Sequence, residues 1–161
     1  MFLPQLFRQY GYFTARYCKV YHEGRDDLLS WGVSQAGEFV DAQERAVHRR
    51  RYDNPPDQRA PDWTPLDTPE AQTRDARITQ AVARLLEEKA QAGKPFFLAA
   101  GFNKPHLPWN VPKQYFALYP LARIRAAPVL LQHGIPTVAL VAELFGSLQP
   151  ASRVEAIAAY Y

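Results

Sequence analysis

The stretch KPFFLAAGF, residues Lys94–Phe102, decides the fold class. Its apolar run is continuous, whereas a strand with one solvated face alternates apolar and polar residues. The run is therefore typical of a strand that is covered on both faces of a parallel sheet. We predict a central, buried parallel strand over Phe96–Phe102.

Residues 69–92, immediately before this strand, are predicted to form a helix that packs on it. Thr68 is a candidate N-cap, Pro69 suits the first helical position, and Gly93 marks the end. One apolar stripe at helical spacing comprises Ile78, Val82, Leu85 and Leu86. A helix that leads directly into a buried strand is one arm of a parallel α/β sheet, so the fold class is α/β.

The rest of the chain is predicted as one partial domain, residues 1–161, with long proline-rich connections. The 14 prolines fit such connections, which we place mainly at 25–67 and 120–150. The other predicted elements are a helix over 4–10, a strand within 12–21, a helix near 37–49, a helix over 112–119, a strand or helix at 137–145, and a helix over 153–161 capped by Ser152.

Composition excludes several classes of protein. The single cysteine, Cys18, rules out an internal disulfide and a multi-cysteine metal site. A net charge of +3 is too small to indicate a nucleic-acid partner. No apolar run reaches the length of about 20 residues that spans a membrane. The first residues, Met1–Pro4, lack a basic leader, so no signal peptide is predicted and the compartment stays open.

Two predicted strands end in polar residues that suit an anion. Lys19 and His22 follow one strand, and Lys104 and His106 follow the other. Ligands of open α/β sheets bind at the carboxyl ends of the strands. A lysine supplies positive charge there, and a histidine donates a hydrogen bond or a proton near neutral pH. The residues predict a small-oxyanion site, with solvated strand ends as the alternative.

Several blocks, taken in order, resemble the sulfatase family in its iduronate-2-sulfatase-like branch. They are LPQLF (3–7) with GY (11–12), KVYH (19–22), DLLSW (27–31), PFFLAAGFNKPHLPW (95–109), PKQYF (112–116), LYP (118–120) and EAIAAYY (155–161). The order and spacing of these blocks are specific, although each block alone is weak. The resemblance implies an alkaline-phosphatase-like α/β sandwich, of which this chain holds an internal part.

The resemblance also implies hydrolysis of sulfate esters, such as those of sulfated sugars, by a formylglycine held beside calcium. Lys19, His22 and His106 match the residues of that family that act on the sulfate, and we predict Lys104 to bind substrate. Such cations would stabilise charge on the sulfate oxygens, and the metal would activate the nucleophile. The predicted partner is a small sulfated substrate, not nucleic acid or a membrane, and the oligomeric state is open.

The departures from the family pattern predict that this chain alone is inactive. Cys18 is not in the Cys-x-Pro-x-Arg motif that is converted to formylglycine, and it stands where the family usually has glycine. Asp26 and Asp27 follow the lysine block, so they are not expected to form the calcium pair, and no calcium site is expected here. Asn103 replaces the first histidine of the family's HKPH segment. The chain is predicted to be a sulfatase fragment without nucleophile or metal ligands.

A non-enzymatic alternative comes from the basic residues Arg45 and 48–51 in a chain of isoelectric point about 9.1. Such a cluster suits phosphates or acidic glycans, and it is also typical of a solvated surface. The alternative function is therefore an anion- or polyanion-binding α/β module.

Overall fold

The computed structural model describes residues 1–22, 24–35, 39, 43, 45, 46, 63–126 and 150–160. The chain divides into two compact units. The first unit comprises Met1–Ala60 with Thr68–Leu107, and the second comprises Pro61–Asp67 with Pro108–Tyr161. The helices are α1 (Leu3–Gln9), α2 (Arg74–Gln91), α3 (Lys113–Phe116) and α4 (Pro150–Tyr160). The strands are β1 (Phe13–Cys18), β2 (Val33–Gln35), β3 (Trp63–Leu66), β4 (Phe96–Gly101) and β5 (Trp109–Pro112).

The first unit is built on a three-stranded parallel sheet in the order β2-β1-β4. Thr14 in β1 lies opposite Phe97 in β4, and Ala15 lies opposite both Leu98 and Val33. The α/β class and the parallel sheet are confirmed. The predicted central position of residues 96–102 is wrong within the described residues, because β1 is the middle strand and β4 lies at an edge.

Packing on both faces explains the apolar run of β4. Leu98 joins the cluster around Ala15 and Ile78, which faces α2. The Phe97 ring instead stacks on Phe7 of α1 at a centroid distance of 4.9 Å. The strand is only half-buried, with Ala100 exposed. The continuous apolar run of β4 therefore indicates that both faces of the strand are packed, but it does not indicate that the strand is central in the sheet.

Helix α2 begins later than its sequence pattern predicts. The N-cap is Thr73, whose side-chain oxygen accepts a hydrogen bond from the Ala76 N–H at 3.3 Å. Pro69 is extended, with φ −57° and ψ 145°, and precedes a short 3-10 turn at Glu70–Gln72. Pro69 therefore does not begin the helix, and Thr68 does not cap it.

The predicted apolar stripe of α2 is largely confirmed. Ile78 is fully buried, and Val82 and Leu85 pack against the same core. Leu86 is 47% exposed and lies outside that contact. Gly93, with φ +65°, follows the helix in the left-handed conformation that glycine adopts without strain.

Strands β2 and β3 lie within the predicted connection 25–67, and the sequence pattern did not indicate either. Both are short, and β3 contains Pro65, which normally argues against a strand. Of the other predictions, the helix near 37–49 lies largely outside the described residues and the element at 137–145 lies wholly outside them. The predicted helices over 4–10 and 112–119 are present as α1 and the shorter α3.

The second unit pairs β3 with β5 in parallel and packs α4 on them. Trp63 is buried against Ala156 and Ala159, and the rings of Trp109 and Tyr160 are 5.4 Å apart. Helix α4 begins two residues before Ser152, which is therefore not its cap. Near β3, the Asp67 carboxylate accepts a hydrogen bond from Lys113 and raises the pKa of that lysine.

Candidate anion site

A cavity of about 530 Å³ lies within the first unit, just beyond the carboxyl ends of β1 and β4. Its lining comes from two short segments, 19–22 after β1 and 102–106 after β4. All four residues that the sequence singled out, Lys19, His22, Lys104 and His106, are among the lining residues. The parallel pairing of β1 with β4 explains this, because parallel strands end at the same edge of a sheet.

The two lining segments are held together by contact at the strand ends. A Cβ atom on Gly101 would overlap the carbonyl group of Lys19, so only glycine allows the two backbones to lie this close. Cys18, the last residue of β1, precedes Lys19. Its buried thiol donates a weak hydrogen bond to Asn103 Oδ1 at 3.7 Å. These contacts set the position of Lys19 relative to the segment 102–106.

Cys18 has a backbone conformation that is unusual for its residue type. Its φ is +60°, and it is the one described non-glycine residue with a positive φ. A side chain in this left-handed region crowds the backbone, whereas glycine adopts it freely. The turn from β1 into the cavity therefore favours glycine at position 18, and Cys18 serves as a buried residue at the strand end.

The two lysines of the cavity differ in their partners. Lys104 Nζ forms an ion pair with Asp75 Oδ2 at 3.0 Å, and both side chains are about one-third exposed. The Lys19 ammonium, in contrast, makes no hydrogen bond or ion pair with any residue that the structure describes. Of the two lysines, Lys19 is therefore the one whose ammonium has no partner in the described part of the chain, and Asp75 is a neighbour of the cavity that the sequence pattern did not reveal.

The imidazole of His106 is oriented by its own backbone. Its Nδ1 lies 2.6 Å from the Leu107 carbonyl oxygen, and a carbonyl only accepts, so Nδ1 carries the proton. The backbone N–H of His106 also donates to the Asn103 carbonyl at 2.8 Å, which closes the turn. Nε2 is thus the ring nitrogen left for a ligand or for proton transfer. His22, on the other segment, is exposed.

The neighbouring aspartates have structural partners. Arg16 is only 3% exposed and binds Asp26 through two hydrogen bonds of 2.5 and 2.9 Å. Arg16 Nε also donates to Ser34 at 2.7 Å, and Asp27 accepts a bond from Ser30 at 2.5 Å. Within the described ranges, no group of three or more His, Cys, Asp or Glu side chains is arranged to hold a metal. These residues do not fit a calcium site.

The fold and the cavity together define the class of protein as a parallel α/β domain with a cationic cavity at the carboxyl ends of its strands. A family model described as Sulfatase matches residues 1–123. The chain is 33% identical over 154 residues to human iduronate 2-sulfatase, an alignment covering 85% of this chain and 26% of that protein. The chain belongs to the sulfatase family.

Two further relatives agree. The chain is 32% identical over 136 residues to mouse iduronate 2-sulfatase, covering 78% of this chain and 24% of that protein. It is 29% identical over 136 residues to a sulfatase of Formosa agariphila, covering 80% and 26%. The chain thus spans about a quarter of the length of these curated relatives, and its fold is a partial alkaline-phosphatase-like sulfatase fold.

These comparisons do not favour the polyanion-binding alternative. Of the basic cluster that suggested it, Arg45 is exposed and 48–51 lie outside the described residues. None of the helices in the described ranges is long and apolar enough to span a membrane.

Proposed function

We propose that the cavity is the sulfate-binding part of a sulfuric ester hydrolase that acts on sulfate esters such as those of sugars. The observation that carries this proposal is the meeting of two lysines and two histidines around one cavity in a sulfatase-family chain. Sulfate ester hydrolysis builds negative charge on the sulfate oxygens and the leaving oxygen, and preplaced cations stabilise that charge.

The contacts of the cavity residues suggest separate roles. Lys19, which has no described ion pair, supplies the main positive charge for the sulfate oxygens. His106, with its Nδ1–H held by Leu107, presents Nε2, which accepts a hydrogen bond in the neutral ring and donates a hydrogen bond or a proton in the imidazolium form. His22 acts from the opposite segment, and Lys104 contributes a charge that Asp75 partly neutralises.

The nucleophile and the metal belong, in this proposal, to sulfatase-domain segments outside these 161 residues. Sulfatases are generally metal-dependent, and calcium is the ion we propose for the whole enzyme. Cys18 is 1% exposed and lacks the Cys-x-Pro-x-Arg context, so it is not the attacking group. The chain by itself binds sulfate and does not hydrolyse its esters.

The binding step is tested by titrating the purified chain with inorganic sulfate and following the histidine side-chain signals by NMR. Lys19→Met is expected to weaken sulfate binding about 10- to 150-fold, because hydrogen bonds to charged groups contribute about 1.5–3 kcal/mol. His106→Ala should weaken it as well. Lys94→Met is the matched control, since Lys94 is exposed and precedes the opposite end of β4.

Equal affinity in the wild type and Lys19→Met, or an equal loss in Lys94→Met, would contradict the proposal. The first result would show that Lys19 does not contact the bound sulfate. The second would show that affinity follows the net charge of the protein and not the position of the lysine.

A further inference from the structure

The cavity contains two aromatic side chains, Tyr21 and Phe102, whose surroundings differ. The Tyr21 ring lies 5.4 Å from the Phe2 ring and 6.2 Å from the Trp31 ring, so other aromatic residues surround it. Phe102 is 44% exposed, and its ring contacts no other ring among the described residues. A large apolar side chain is therefore left open to solvent on the wall of a cationic cavity.

The position of Phe102 is fixed by the backbone beneath it. Gly101 is paired with Cys18 across the sheet, so Phe102 and Lys19 are the first residues of the two chains beyond this register. The close approach of Gly101 to the Lys19 carbonyl holds this register. The Phe102 ring and Lys19, whose ammonium has no ion pair among the described residues, therefore line the same cavity.

We propose that Phe102 is a specificity-determining residue: its ring packs on the apolar face of a cyclic group that carries the sulfate. Lys19 and the two histidines hold the sulfate itself, so this inference rests on the proposed function. Stacking on Phe102 buries apolar surface that inorganic sulfate or a short alkyl sulfate leaves exposed. A sugar ring and an aryl ring both offer such a face.

The test compares dissociation constants for inorganic sulfate, ethyl sulfate, phenyl sulfate and a glucose sulfate on the purified 161-residue chain. In the wild type, at least one cyclic ester should bind about two- to tenfold more tightly than ethyl sulfate, the range expected for one aromatic contact. In Phe102→Ala that ratio should fall to about one, and Phe102→Trp should retain it. Tyr10→Ala is the control, because Tyr10 is 77% exposed and does not line the cavity.

The outcomes separate this inference from the proposed function. If the wild type binds none of these anions, the proposed function fails. If it binds sulfate but Phe102→Ala keeps the preference for cyclic esters, the inference about Phe102 is overturned. An equal loss for all four anions in Phe102→Ala, with the ratio unchanged, also overturns it. A preference for phenyl sulfate or for glucose sulfate supports it and tells which ring the cavity accepts.

Discussion

The backbone conformation of Cys18 favours glycine, whereas its side chain makes a buried contact. Its φ of +60° favours glycine, while its thiol is buried and contacts Asn103. Cys18→Gly and Cys18→Ala both delete the thiol, but only glycine relieves the left-handed backbone. We therefore expect Cys18→Gly to be more stable than Cys18→Ala by about 1–2 kcal/mol in urea denaturation. Equal midpoints for the two variants would show that the turn relaxes without cost.

Asp75 limits the positive charge of the cavity through its ion pair with Lys104. Asp75→Asn removes a negative charge beside the cavity and releases the Lys104 ammonium. Sulfate should then bind about two- to fivefold more tightly, the size of a partly exposed ion pair. Glu88→Gln, which breaks the Glu88–Lys89 pair on the same helix, is the control. Weaker binding in Asp75→Asn would instead indicate that Asp75 positions Lys104 for the ligand.

The sequence predicted that four charged or titratable side chains would lie at one edge of the sheet, and all four line the cavity, but it did not indicate their neighbours. Lys19 and His106 could be predicted because each follows the end of a recognisable strand, and parallel strands share an edge. Asp75 could not, because its contact with Lys104 joins the first turn of α2 to a segment 29 residues later. The sequence pattern presents Phe102 as the end of an apolar run, and only the folded structure shows that it lines the cavity.

Among the elements, α2 offers the clearest test of the folded structure. Thr73→Ala removes the side-chain cap on Ala76 and should lower stability by about 1 kcal/mol. Thr79→Ala is the matched control, since Thr79 lies inside the same helix and is exposed, and alanine is the better helix former there. Thermal unfolding followed by circular dichroism measures both. A Thr73→Ala variant as stable as Thr79→Ala would place the start of the helix elsewhere.

The helices and strands that could be predicted are those whose sequence pattern lies within the element itself. Helix α2 has an apolar stripe, and its core residue Ile78 is fully buried. Its start was misplaced because Thr68-Pro69 and Thr73 both offer good starting residues, and only the packed structure selects between them. Strands β2 and β3 have three and four residues, and their pairing depends on distant partners. Such short parallel strands carry little signal of their own.

Across the two units, the proposed function assigns sulfate binding to this chain but not the attack on the ester. The described residues that line the cavity all belong to the first unit, whereas Cys18, Asp26 and Asp27 make structural contacts. We therefore expect this chain to bind sulfate without hydrolysing sulfate esters. Preplaced cations stabilise a transition state only if a nucleophile attacks.

The last prediction is that the purified chain hydrolyses no sulfate ester, even after co-expression with a formylglycine-generating enzyme. That maturation requires a cysteine in the Cys-x-Pro-x-Arg motif, and residues 18–22 read Cys-Lys-Val-Tyr-His. The assay uses a chromogenic aryl sulfate with calcium and compares the wild type with His106→Ala. Turnover that disappears in His106→Ala would contradict the prediction and show that this chain has its own attacking group. Equal turnover in both proteins would identify a contaminating sulfatase. No turnover, together with sulfate binding that depends on Lys19, would agree with a chain that binds sulfate but lacks the attacking group.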